Sequence, residues 1–165
     1  MPLTEVARFA IAGLATVILA VASVSDVRSR KIPNACVLAL IVLFLPWAVM
    51  GDWPAAFSSL MAAVVALAIT FALYGLGLCG AGDSKLFAAC ALFAGMALLA
   101  HLAMATAMAG GVVALASIAS RPQRAAVMLT MRGKGDFGPG IPYGVAISLG
   151  AVIILWGPLA GWLRP

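Results

Sequence analysis

Charge is scarce in this chain. Of its 165 residues only 9% are Asp, Glu, Lys or Arg, while 65% are hydrophobic. Soluble domains are about half apolar and about a quarter charged, so the composition excludes an ordinary soluble domain and describes an integral membrane protein. The three cysteines, Cys36, Cys79 and Cys90, form no C-x-x-C pair. That argues against a zinc module and a disulfide framework; small apolar residues inside helices is the plainer reading. The net charge is +5, yet the basic residues are scattered over separate loops and make no stripe with interleaved aromatics, which argues against a nucleic-acid partner. Histidine occurs once, at His101.

What remains is long apolar runs, to be set against the roughly 20 residues a helix needs to cross a bilayer. They cover about Arg8 to Ser25, Pro33 to Gly51, Trp53 to Tyr74, Leu86 to Ser120 and Ile141 to Leu163. The fourth run is too long for one span and fits two helices with a tight turn, placed here at Gly95. The expected fold is a single all-α membrane domain over residues 1–165 with six transmembrane helices. Ala20-Val21-Ala22-Ser23 has the look of a signal cleavage site, but Glu5 offsets Arg8 ahead of it and Arg28, Arg30 and Lys31 follow at once, so the first span is expected to be retained. With six spans, eight of the ten basic residues fall on one side: Arg28, Arg30 and Lys31, then Lys85, then Arg121, Arg124, Arg132 and Lys134. The positive-inside rule makes that side cytoplasmic and both termini non-cytoplasmic. Trp47, Trp53, Trp156 and Trp162 suit interfacial anchors.

Only five acids exist to carry chemistry: Glu5, Asp26, Asp52, Asp83 and Asp136. Glu5 and Asp52 fall on the outer side, the other three on the cytoplasmic side. Asp26 opens a stretch that ends Ile32-Pro33-Asn34, with Pro33 suited to the first turn of span two. Its bland reading is an ion pair with Arg28 or Arg30. Asp83 sits in Gly80-Ala81-Gly82-Asp83-Ser84-Lys85, between two apolar runs, where a charge is costly without work or a partner. Gly80 and Gly82 leave room for close approach. The bland reading is an N-cap. Gly133-Lys134-Gly135-Asp136 repeats the pattern but lies in the most basic loop with no helix behind it, and reads as a solvated or headgroup loop. Pro142-Tyr143-Gly144 opens the last span, with the Tyr143 hydroxyl at the depth of the two aspartates. Lys85 reads as a snorkelling anchor and His101 as a helix-end residue. A Ser84–Lys85 dyad fails because adjacent helical residues point apart.

Asp26 with Ile32-Pro33-Asn34, then Gly80-Ala81-Gly82-Asp83 with Lys85-Leu86, then Pro142-Tyr143-Gly144, in this order in a six-span chain, resemble the prepilin peptidases. These are membrane aspartic peptidases with a G-x-G-D motif. The short length and lack of a four-cysteine motif are most similar to the small peptidase-only members serving Flp/Tad-type pili. The resemblance implies Asp26 and Asp83 as the catalytic pair, with Asn34, Gly80, Gly82, Lys85, Pro142, Tyr143 and Gly144 as candidate substrate-binding or supporting residues. It implies a prepilin substrate with a short leader and an apolar helix, cut at the cytoplasmic boundary of a prokaryotic inner membrane, lipid as the surroundings, and no metal or cofactor. Two carboxylates held close share one proton, so one can activate water while the other polarises the carbonyl. Asp83 is expected to be the base, because a helix N-terminus favours its anion, whereas Asp26 is expected to follow a helix C-terminus. The competing class is a small proton- or cation-coupled transporter or channel subunit using the same acids; the spans are nearly bare of the polar residues it would need. A presenilin-type or signal-peptide-peptidase-type enzyme would pair G-x-G-D with a Tyr-Asp motif, and no tyrosine precedes Asp26.

Overall fold

Backbone polar groups cannot be left bare in lipid, so runs of this apolarity close their hydrogen bonds within helices. The computed structural model describes residues 3–120 and 143–163, and these are all-helical, without strands. Five helices follow in order: α1 (Leu3–Ser29), α2 (Asn34–Val49), α3 (Trp53–Gly75), α4 (Ala81–Ser120) and α5 (Tyr143–Leu159). Three of them, α1, α3 and α4, are long and apolar enough to cross a membrane, while α2 and α5 are shorter apolar helices. Arg121, Arg124, Arg132, Lys134, Asp136 and Pro142 lie outside the described residues.

The boundaries have local causes. After α1 the chain turns at Arg30, which takes the left-handed conformation at φ 55° and donates its N–H to Asp26 O at 2.9 Å. Pro33, expected inside the first turn of the second helix, instead precedes it, extended at φ −62° and ψ 131°. Its missing N–H costs nothing there. Asp52 caps α3 by accepting from Ala55 N at 2.9 Å, with Pro54 in the first turn. Inside α4 the backbone leaves helical geometry at Gly95, φ 62° and ψ 178°, the residue at which the long run was expected to turn. A left-handed φ with an extended ψ suits glycine almost alone. The Ser58 hydroxyl of α3 fills the break by accepting from Met96 N at 3.1 Å.

Small residues make the interior. Ala12, Ala15 and Ala22 of α1, Ala62 of α3, Ala91 of α4 and Ala146 of α5 are all fully enclosed, which lets helices approach closely. Large apolar side chains such as Val17, Leu38, Phe57 and Leu60 face outward, as suits a lipid-facing surface. Trp53 and Trp162 are exposed. Trp156 instead turns inward and donates Nε1–H to Thr16 Oγ1 at 3.0 Å, and Trp47 packs on Phe93. The most extensive packing joins α3 with α4 and α4 with α5. α5 also packs on α1, whereas no Cα of α1 comes within 8 Å of one of α4. The two helices that carry Asp26 and Asp83 therefore do not touch along their backbones.

Candidate active site

Asp26 lies in the last turn of α1, not beyond it, and is 93% enclosed, with 7% of its surface exposed. Its Oδ2 accepts the backbone N–H of Gly144 at 2.8 Å. Gly144 is the second residue of α5, so the carboxylate satisfies an N–H that the helix itself leaves orphaned. The contact leaves no room for a side chain: a Cβ on Gly144 would stand 2.8 Å from Asp26 Oδ2 and 3.0 Å from Asp26 Cβ.

Asp83 repeats this chemistry within one turn of chain. It lies in the first turn of α4 and its Oδ2 accepts from Gly80 N at 3.2 Å, the reach-back of a capping box. A Cβ on Gly80 would stand 2.8 Å from the same Oδ2. Each aspartate is thus tied through Oδ2 to a glycine N–H at the start of a helix, and each glycine is small because the carboxylate occupies the place of its Cβ. Neither Oδ1 has a hydrogen-bond partner among the described residues. The turn that follows Asp26 packs on the turn that carries Asp83, through Ile32 against Gly82, and the charge of Asp26 bears on Asp83.

The expected asymmetry between the acids is absent. Asp26 sits near the C-terminus of α1, but the N-terminus of α5 faces it through Gly144. Both anions meet a positive helix end, so the dipole argument does not single out Asp83 as the base. The ion pair weighed for Asp26 is also missing: among the described residues no carboxylate pairs with Arg28, Arg30 or Lys85, although Arg30 exerts an attraction on Asp26.

The other candidates are placed as follows. Gly82 sits against Ile32, whose Cβ would be 3.3 Å from an added Cβ, so the Ile32-Pro33-Asn34 turn packs on the G-x-G-D turn. Asn34 opens α2 and is exposed, as is Lys85. Tyr143 opens α5 with its ring near Gly110 and is 43% exposed. Pro142 and Asp136 fall outside the described residues. Lys85 lines an apolar groove of about 540 Å³ beside α3, with Val64, Leu67, Ala68 and Phe71.

Two serines were not singled out for the part they take. Ser84, 2% exposed, places its hydroxyl 3.1 Å from Thr70 O and 3.2 Å from Gly80 O, tying the start of α4 to α3 and steadying the Gly80 turn. Ser148 sets its hydroxyl 2.8 Å from Gly144 O and 3.2 Å from Leu19 O, which holds the first turn of α5 against α1. The signal for Ser148 was its place one turn after Gly144; its second partner, on another helix, leaves no mark in the sequence. The cysteines are free, and Cys79 Sγ contacts Thr70 O at 3.3 Å. Among the described residues no cluster of His, Cys, Asp and Glu has the make-up of a metal site.

Residues 13–115 match the type IV leader peptidase family. No curated protein and no solved structure matches the chain.

Proposed function

The chain belongs to the type IV leader peptidase family, and from that premise we propose that it is an aspartic endopeptidase whose catalytic pair is Asp26 and Asp83. The substrate is a type IV prepilin of the Flp/Tad type, cut where its leader meets its apolar helix. Six spans are counted by taking the two arms of α4, before and after Gly95, as separate crossings. Both aspartates then lie at the cytoplasmic face of a prokaryotic inner membrane, and both termini outside.

One observation carries the reading: each carboxylate is anchored through one oxygen while the other is left for chemistry. Water between the free oxygens loses its proton to the ionised carboxylate and attacks the scissile carbonyl. The protonated carboxylate polarises that carbonyl and then supplies a proton to the leaving amine. Mutual repulsion keeps the pair from ionising together, so one proton stays shared between them. The glycine N–H donors fix the carboxylates without adding a charge that would hold both protons off. Ile32 against Gly82 and Ser148 against Leu19 are the contacts that would keep the two turns in register.

The test is co-expression of the chain with a candidate prepilin, following leader removal by mobility and mass. Wild type is expected to cut. Asp26→Ala and Asp83→Ala are each expected to leave the precursor intact at normal protein levels. Normal processing by either variant would reject the pair.

A further inference from the structure

A second polar site lies at the other end of the bundle. Arg8 and Asp26 stand eighteen positions apart along α1, a rise of about 27 Å, against a bilayer hydrocarbon core of about 30 Å. With Asp26 at one boundary, Arg8 stands at the headgroup level of the opposite leaflet.

There the break at Gly95 opens a cavity of about 290 Å³ lined by Arg8, Trp47, Ser58, Ser59, Phe93 and Gly95, among others. Its polar groups are short of an acceptor. Arg8 carries five N–H donors; it spends one on Met50 O at 3.2 Å and rests over the Trp47 ring at 5.5 Å. Among the described residues it has no carboxylate partner. Of the nearby acids, Glu5 is exposed one turn away on α1, and Asp52 is engaged in capping α3. Ser58 accepts from Met96 N, leaving its O–H to be given. Ser59 is only 9% exposed, yet among the described residues its hydroxyl has no partner. Hydroxyls without an acceptor and a guanidinium with donors to spare share one cavity wall, and the guanidinium favours an acceptor that carries negative charge. Phe93 and Trp47, packed edge to face at 5.8 Å, supply an apolar wall beside it.

We propose that this cavity binds a phosphate group, supplied by a phospholipid headgroup of the leaflet opposite the aspartates. Arg8 grips the phosphate oxygens as a planar fork, and Ser58 and Ser59 donate from α3. The glycerol and first methylenes lie along Trp47 and Phe93.

Full-length protein in detergent, titrated with palmitoyl-oleoyl phosphatidylglycerol and read by native mass spectrometry, tests this. Phosphatidylglycerol is expected to be retained, and diacylglycerol of the same chains to be lost. Arg8→Gln should weaken retention by at least about tenfold, and Ser59→Ala by roughly threefold, the scales of a charge-assisted and a neutral hydrogen bond. Arg8→Lys, which keeps the charge but loses the planar fork, covers the case in which Arg8→Gln does not fold, and should weaken retention less than Arg8→Gln but measurably. Equal retention of phosphatidylglycerol by wild type and both Arg8 variants would overturn the proposal, as would equal retention of diacylglycerol. Inorganic phosphate should compete weakly; tighter binding of inorganic phosphate than of the lipid would overturn the lipid as its source.

Discussion

Gly144 donates its backbone N–H to Asp26 Oδ2 at 2.8 Å, across 118 positions of sequence. The bond joins the end of α1 to the start of α5, and it is matched at Asp83 by a local bond from Gly80. The two anchors differ in what surrounds them, so disturbing each has a different consequence.

Gly144→Ala would set a methyl group 3.0 Å from Asp26 Cβ and 3.1 Å from its Cγ, besides Oδ2. Those atoms belong to the rooted part of the side chain, so helices must shift. The variant is expected to lose about 1–3 kcal/mol of stability together with cleavage. Gly80→Ala meets only the far end of Asp83, Oδ2 at 2.8 Å and Cγ at 3.7 Å. It is expected to swing the carboxylate aside, cutting cleavage while leaving the melting temperature nearly unchanged. Melting and cleavage assays run side by side separate the two.

If Asp26 and Asp83 are the acid and base, conservative Asp→Asn changes at either should lower single-turnover cleavage by at least about a hundredfold. The double variant should be little worse than either single one, because the pair works as a unit. Asp136→Asn is expected to cleave like wild type. Additive losses would argue against a shared role.

A carboxylate pair that shares a proton needs one member ionised and one protonated. The rate of cleavage should therefore fall at both ends of the pH scale, with two apparent constants that belong to the pair. A chelator such as EDTA should leave the rate as it was. A single sigmoid with no second limb, or loss of activity on chelation, would count against the mechanism.

Ser84→Ala removes the hydroxyl between Thr70 O and Gly80 O. The expected cost is about 1 kcal/mol, with a fall in cleavage from the loosened Gly80 turn. A melting curve and a cleavage rate from the same preparation measure both.

Gly150 and Gly13 predict opposite outcomes for one substitution. A Cβ on Gly150 would meet the Thr106 backbone N at 2.8 Å, beside Thr106 Oγ1, a buried hydroxyl without a partner among the described residues. Gly150→Ala is expected to destabilise by about 1–3 kcal/mol through the α4–α5 crossing. Nothing lies within 4 Å of a Cβ on Gly13, so Gly13→Ala should be neutral or gain up to about 1 kcal/mol from helix propensity.

Membrane class, the course of the helices, the break at Gly95 and the two aspartate motifs were legible in the chain itself, because apolar runs, turn glycines and a carboxylate one turn after Gly80 are local properties. Reading helix ends locally also misled: α1 runs on to Ser29, so Asp26 lies within it, and the positive end of α5 faces it from 118 positions away. That pairing, the Ser148–Leu19 link and the meeting of Arg8 with Ser58 and Ser59 around the Gly95 break belong to the tertiary structure alone. In lipid the apolar faces of a helix are nearly equivalent, so hydrophobicity names no partner. The choice falls to where a missing Cβ lets one backbone come close enough for a hydrogen bond, and that closeness exists only once the helices have packed.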